Sequence, residues 1–272
     1  MDYKKYEDVA SKIRIDIIKA IHMAGSGHPG GSLSAADIVT ALYFKEMNID
    51  PKNPNMEGRD KFILSKGHAG PVQYAALGER GFFPVEEMMS LRKLGSNFQG
   101  HPNRDKVPGI EMSTGSLGQG FSVSVGMALA NKLDNSKGRI YTLIGDGELQ
   151  EGLIWEAAMA AAHYKLDNLC AIIDWNGLQI DGKNDDVVTV KPIDDKFKAF
   201  GFNVIEIDGH NFEEIFKAFD EARARKGKPT AIIAKTHKGM GVSFMYDNAG
   251  WHGKAPNEEE TKQAIEELGG ER

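Results

Sequence analysis

The chain has 272 residues, with 39 acidic and 33 basic side chains for a net charge of −6, one cysteine and 41 % apolar residues. That length is ample for one large buried core, and a negative balance with no long Lys/Arg run excludes a nucleic-acid-binding role. A lone Cys170 makes neither an internal disulfide nor a cysteine zinc site, no stretch reaches the ~18 apolar residues of a membrane span, and the charged start is no signal peptide, so a reducing, cytoplasmic setting with no membrane contact is expected.

Val9, Ile13, Ile17 and Ile21, with charges between them, predict an amphipathic helix that stops at Gly25-Ser26-Gly27. A second helical pattern runs over 34–47 and is closed by Pro51 and Pro54. A short strand is expected over 61–64, then a turn at Ser65-Lys66-Gly67-His68. Small helices are expected over 71–79 and 85–94, the latter opened by Pro84. Residues 119–132 read as a helix rich in small side chains, 140–144 as a buried strand, 152–164 as a helix and 169–174 as the next buried strand. After a strand at 204–207, Asn211 with Glu214 three positions on has capping-box spacing, and the helix it opens would bury Phe212, Ile215, Phe216 and Phe219. A strand at 230–234 and a helix at 258–268 close the chain. Strand, helix, strand in short alternation predicts one α/β domain over 1–272, a parallel sheet with helices on both faces, which binds ligands at the carboxyl ends of its strands.

The 31 glycines, about 11 % of the chain against a usual ~7 %, suggest places where backbone approaches a ligand. Gly25-Ser26-Gly27-His28-Pro29-Gly30 matches a dinucleotide fingerprint by letter, but that motif needs a strand before it and a helix starting inside it, and here a helix precedes it and Pro29 interrupts it. Gly145-Asp146-Gly147 is stronger. It follows one buried strand directly, and Asn176, after 28 intervening residues, follows the next. Neighbouring parallel strands lie ~5 Å apart, so Asp146 and Asn176 can face one small ion. Oxygen donors of this kind suit Mg²⁺, with Ca²⁺ or Mn²⁺ as substitutes, and Mg²⁺ commonly completes its shell with phosphate oxygens. The helix starting near Gly152 adds a positive dipole end for a diphosphate.

GDGELQEGLIWEA followed by IIDWNGLQIDG resembles the thiamine diphosphate motif of transketolases. SGHPGGSLSAADI, SKGHAG, GHP at 100–102, STGSLGQG and GWHGKAP fall in that family's order across nearly the whole chain. The resemblance implies that thiamine diphosphate and Mg²⁺ bind here, with Asp146, Asn176 and the Leu178 carbonyl on the metal and Gly147 against the diphosphate. It gives Gly115 and Leu117 to the aminopyrimidine, His68 to the diphosphate side, and Glu151 and Glu156 to acidic positions near the cofactor and subunit interface. Asp181 matches a position in contact with cofactor or substrate. His28, His101 and His252 match the histidines that protonate and position the sugar, work that suits imidazoles near neutral pH. His22, His163, His210 and His237 read as structural, and Trp155, Trp175 and Cys170 as packing residues. Two positions depart from the family's pattern: Trp175 stands where a second Asn or Asp is common, and Ser116 where proline is frequent.

The family continues into a pyrimidine-binding domain and a C-terminal domain, which carry a glutamate for cofactor activation and the sugar-phosphate arginines. The resemblance therefore implies the N-terminal subunit of a split transketolase: with a C-terminal partner subunit, in a dimer of heterodimers, it would transfer a two-carbon ketol unit between sugar phosphates. The neighbouring alternatives are the alpha component of a 2-oxo-acid dehydrogenase or a deoxyxylulose-phosphate synthase-like enzyme, which share Gly-Asp-Gly and a downstream Asn. The non-enzyme alternative is a thiamine diphosphate-binding regulatory domain.

Overall fold

The computed structural model describes residues 2–270. Its strands are β1 (Lys61–Leu64), β2 (Ile140–Gly145), β3 (Leu169–Trp175), the small antiparallel pair β4 (Leu178–Gln179) and β5 (Gly182–Lys183), β6 (Asn203–Asp208) and β7 (Thr230–Lys235). Five of them form a parallel sheet in the order β1-β2-β3-β7-β6, as the α/β reading expects. Both faces are covered, so the central strands are almost wholly apolar. Tyr141, Leu143, Cys170 and Ile172 point into one core, and Ile140, Ile144, Ala171 and Ile173 into the other, following the two-residue period of the pleat.

The helices are α1 (Lys4–Ala24), α2 (Pro29–Ser34), α3 (Ala36–Ala41), α4 (Gly70–Arg80), α5 (Gln119–Leu133), α6 (Gly152–His163), α7 (Asn184–Val187), α8 (Ile193–Ala199), α9 (Phe212–Ala224) and α10 (Glu258–Glu267). α1, α3, α4, α9 and α10 cover one face, and α5, α6 and α8 the other. α1 ends where expected, with Gly25 in the left-handed region at φ 61°.

Several elements differ from expectation. The pattern at 34–47 is three pieces, since helix begins at Pro29 in the first-turn position, breaks at Ala35 and ends in a π turn over Leu42–Glu46. Gly30 and Gly31 are poor helix formers and hide that start; tertiary packing buries α2 completely and overrides their propensity. The helix expected at 85–94 is a single 3₁₀ stretch, Val85–Ser90, and Arg92 at φ 59° turns the chain away. Asn211 caps α9 by accepting from the Glu213 and Glu214 N–H groups. Glu214, however, sends its carboxylate to the Asp208 N–H (2.8 Å), so the box is only half made. The complete reciprocal box is at Asn257 and Glu260, opening α10. The β4–β5 pair, α7 and α8 lie outside the elements expected from the sequence.

Candidate cofactor and substrate site

A cavity of about 300 Å³ opens at the carboxyl ends of β2 and β3. The register that pairs Gly145 with Asp174 brings Asp146 and Asn176 to its floor. Asp146 is buried, and its oxygens accept the Gly147 N–H (2.8 Å) and the Gly177 N–H. Burial, with the Asp174 carboxylate nearby, pushes Asp146 up to about 6. Asn176 Oδ1 accepts the Leu178 N–H at 3.1 Å, while the Leu178 carbonyl accepts from Lys238 Nζ at 3.3 Å. Asp174 is differently placed. It accepts from Lys66, from Thr236 and from Ser34 Oγ (2.6 Å); burial opposes its ionisation, but the Lys66 ammonium holds it below the usual carboxylate range. Lys66 also donates to the Gly31 carbonyl at 2.7 Å. Burial and the neighbouring Lys66 charge push Lys238 down to about 8. Both ammonium groups line the cavity, and a desolvated cationic wall of this kind attracts an anion. Beside it, the buried Asn184 amide has no hydrogen-bond partner among the described residues, and its Oδ1 lies 3.5 Å from where a Cβ on Gly147 would stand.

Above this floor the rings of His28, His68 and His252 form a triangle with centroids 5.1–5.4 Å apart. Burial, with the Arg92 charge, lowers His28 to about 4; burial, with the Lys238 charge, lowers His252 to about 3. Burial and Lys66 hold His68 well below its ordinary value. All three are neutral at pH 7. The Nδ1 atoms of His28 and His252 are buried without a partner among the described residues, so both have hydrogen-bonding capacity to spare. His101 is exposed, with its ring 3.2 Å from where a Cβ on Gly115 would stand; partial burial and Arg92 lower it as well. The loop carrying Gly115 and Leu117 is clamped by Glu148, whose carboxylate accepts from Ser65 Oγ, from the Gly118 N–H (2.7 Å) and from the Gly145 N–H (3.0 Å).

The family model described as transketolase, thiamine diphosphate binding domain, matches residues 5–272. The chain belongs to this family. It is 47 % identical over 259 residues to a 6-deoxy-6-sulfo-D-fructose transketolase subunit of Clostridium sp. (strain MSTE9), covering 95 % of this chain and 94 % of that subunit. It is 42 % identical over 268 residues to an apulose-4-phosphate transketolase subunit of Phocaeicola vulgatus, covering 98 % and 95 %. Among solved structures, transketolase from Campylobacter jejuni matches with a TM-score of 0.94 at 35 % identity, covering all of this chain and 44 % of its own. That from Leishmania mexicana matches with a TM-score of 0.93 at 33 % identity, covering 98 % and 41 %. The chain thus spans nearly the whole of the two subunits and less than half of the two solved transketolase chains.

In this transketolase domain the cavity gathers His28, His68, His252, Gly115, Leu117, Asp146, Gly147, Glu151, Asn176 and Leu178. His101 adjoins it through Gly115. Two expected residues do not line it: Asp181 is exposed in the β4–β5 turn, and Glu156 is exposed on α6. Sequence reasoning missed Lys66, Lys238, Glu148 and Asp174. A carboxylate ending the apolar run at 169–174 was a readable signal for Asp174, whereas nothing local marks a lysine that will be buried. Arg92 was missed too. It donates to Ser26 Oγ at 3.2 Å, lies against Gly100, and supplies a cation near His28 and His101 that was expected only from the partner.

Proposed function

We propose that this chain is the cofactor-binding subunit of a two-chain transketolase. With a C-terminal partner subunit it transfers a two-carbon ketol unit from an anionic ketose to an aldose. The observation that carries this reading is the cavity itself, with oxygen donors from two adjacent strand ends on its floor and three neutral histidines above. The near full-length match to two proteins named as transketolase subunits supports the two-chain form.

The residues present fit both groups. One carboxylate, one amide oxygen and one backbone carbonyl form a hard-oxygen set suited to Mg²⁺, Ca²⁺ or Mn²⁺, and the Asn184 amide is an orphaned polar group next to it. Asp146, Asn176 and the Leu178 carbonyl would hold the metal. Lys66, Lys238 and His68 would meet the diphosphate, and Gly115 and Leu117 the aminopyrimidine. When bound, thiamine diphosphate supplies the nucleophilic carbon that carries the two-carbon unit. The chain's own part is polar positioning. His28 and His252, kept neutral, can donate or accept a proton at their free Nδ1 atoms, and His101 can hydrogen-bond sugar hydroxyls. Arg92 offers a guanidinium to the substrate's anionic group, consistent with relatives named for a phosphorylated and a sulfonated sugar.

Leu133, Met159 and Tyr164 are exposed around α5 and α6, and Ile180, Val187 and Val188 on the segment beside the cavity. α6 is apolar or small around most of its circumference, a composition suited to a helix covered on several sides. These surfaces fit a second heterodimer and the partner subunit. Calorimetric titration with thiamine diphosphate, with and without Mg²⁺ and in the presence of the partner, tests the site. Metal-dependent binding that Asp146→Asn abolishes is expected, and equal binding with and without metal would count against it.

A further inference from the structure

We propose that His210, which the cofactor and substrate contacts do not use, is a positioning residue. Its neutral ring, oriented by the buried Arg14–Asp37 pair, fixes the backbone that carries Lys238 and His252 into the cavity. The inference rests on the reading of that cavity as the cofactor and substrate site.

Asp37 of α3 is buried, and Arg14 of α1 grips both its oxygens, with 3.1 Å to Oδ1, while Arg14 Nε donates to the Leu33 carbonyl at 3.3 Å. His210, in the loop between β6 and α9, has Nδ1 2.7 Å from Asp37 Oδ2 and Nε2 2.9 Å from the backbone N of His237. The polarity of both contacts is forced. A backbone N–H can only donate, so Nε2 is the bare acceptor; the Asp37 carboxylate, paired with Arg14, accepts, so Nδ1 carries the proton. One tautomer of the neutral ring satisfies both partners, and an imidazolium would set one N–H against another.

The held segment leads directly to the site. Thr236, one residue before His237, is tied through its hydroxyl to Asp174 and through its N–H to the Trp175 carbonyl at 3.0 Å. Two residues after His237, the Gly239 N–H donates to the Gly30 carbonyl at 3.0 Å. Lys238 stands between these anchors, its N-terminal neighbour held by His210 and its C-terminal neighbour by Gly30. Its own carbonyl accepts the Asp247 N–H at 2.8 Å, closing the loop on itself. The His237 ring faces outward, with Nδ1 2.9 Å from Asp247 Oδ2 and the ring stacked on Tyr246. The loop then returns through Trp251 to His252 within the histidine triangle. Removing the His210 ring strips an acceptor from the backbone immediately before Lys238 and a donor from a buried carboxylate.

The test uses the full-length chain. In the wild type at pH 7, ¹⁵N chemical shifts of His210 are expected to show a protonated Nδ1 and a bare Nε2; a protonated Nε2 overturns the proposal and needs no variant. In His210→Phe, amide exchange of His237 and its neighbours should speed up by about fivefold or more, while His163→Phe leaves it unchanged. His210→Gln, whose amide can donate to Asp37 and accept from His237, should restore most of that protection. Thiamine diphosphate binding with Mg²⁺ and the partner should weaken about tenfold in His210→Phe, the range seen when an orienting contact is lost. Unchanged exchange in His210→Phe overturns the proposal. Faster exchange with an absence of cofactor binding in the wild type would instead overturn the reading of the cavity.

Discussion

Asp146 and Asp174 stand at neighbouring strand ends, and their surroundings give them opposite work. Asp174 receives four side-chain donors, the Lys66 ammonium, the Ser34 and Thr236 hydroxyls and, at 3.4 Å, the Asn176 amide, and is a completed anchor. Asp146 receives only backbone N–H groups, is pushed up by burial, and faces a cavity. Asp174→Asn should therefore lower unfolding stability by about 3–5 kcal/mol, because it leaves Lys66 buried without its counter-charge. Asp146→Asn should unfold within about 1 kcal/mol of the wild type yet lose metal-dependent cofactor binding, since it breaks no direct ion pair and replaces a carboxylate whose ionisation burial opposes. Denaturant melts and titrations of the two variants check the contrast. The histidines add a pH signature. His28 and His252 titrate near 4 and 3 in the fold against 6.5 unfolded, so the stability they contribute is present above 6.5 and lost as pH falls toward 3–4. The melting temperature should drop between pH 7 and pH 4.5, and His28→Asn should flatten that drop. His28, His68, His101 and His252 were legible because each adjoins a glycine in a loop, where core packing is a poor explanation. Lys66 and Lys238 were not, because the groups that meet them, Asp174 and the Gly31 carbonyl for Lys66 and the Leu178 carbonyl for Lys238, lie far away along the chain.

The same contrast governs whole elements. Long strands covered on both faces declare themselves by continuous apolar runs, and all five sheet strands were readable to within about two residues. Short helices and the 3₁₀ stretch at Val85–Ser90 depend on contacts the local pattern does not contain: α2 is set by total burial and the 3₁₀ stretch by the close approach of Gly78 to Val85. Two glycines of α5 test how tightly the cavity wall is built. A Cβ on Gly120 would stand 2.6 Å from Ser65 Cα, in the segment that carries Lys66, whereas a Cβ on Gly126 meets nothing within 4 Å. Gly120→Ala should destabilise the chain by about 1–3 kcal/mol through overpacking. Gly126→Ala should stabilise it by about 0.5–1 kcal/mol, by removing a flexible residue from a helix interior. Chemical denaturation of the two variants measures both signs.

For the whole molecule, the cavity is formed from this chain alone on one side and opens toward a surface with exposed apolar side chains on the other. In the proposed function the histidine triangle, the lysines and the oxygen donors bind and orient, and a second chain supplies the groups that activate the cofactor. The most direct test combines the chain with its C-terminal partner, thiamine diphosphate and Mg²⁺. It measures two-carbon transfer from phosphorylated and sulfonated ketoses to an aldose acceptor, with pyruvate as the control donor. Turnover of an anionic ketose is expected only when both chains are present, and none with pyruvate. Full turnover by either chain alone, or preferential consumption of pyruvate by the pair, would contradict it.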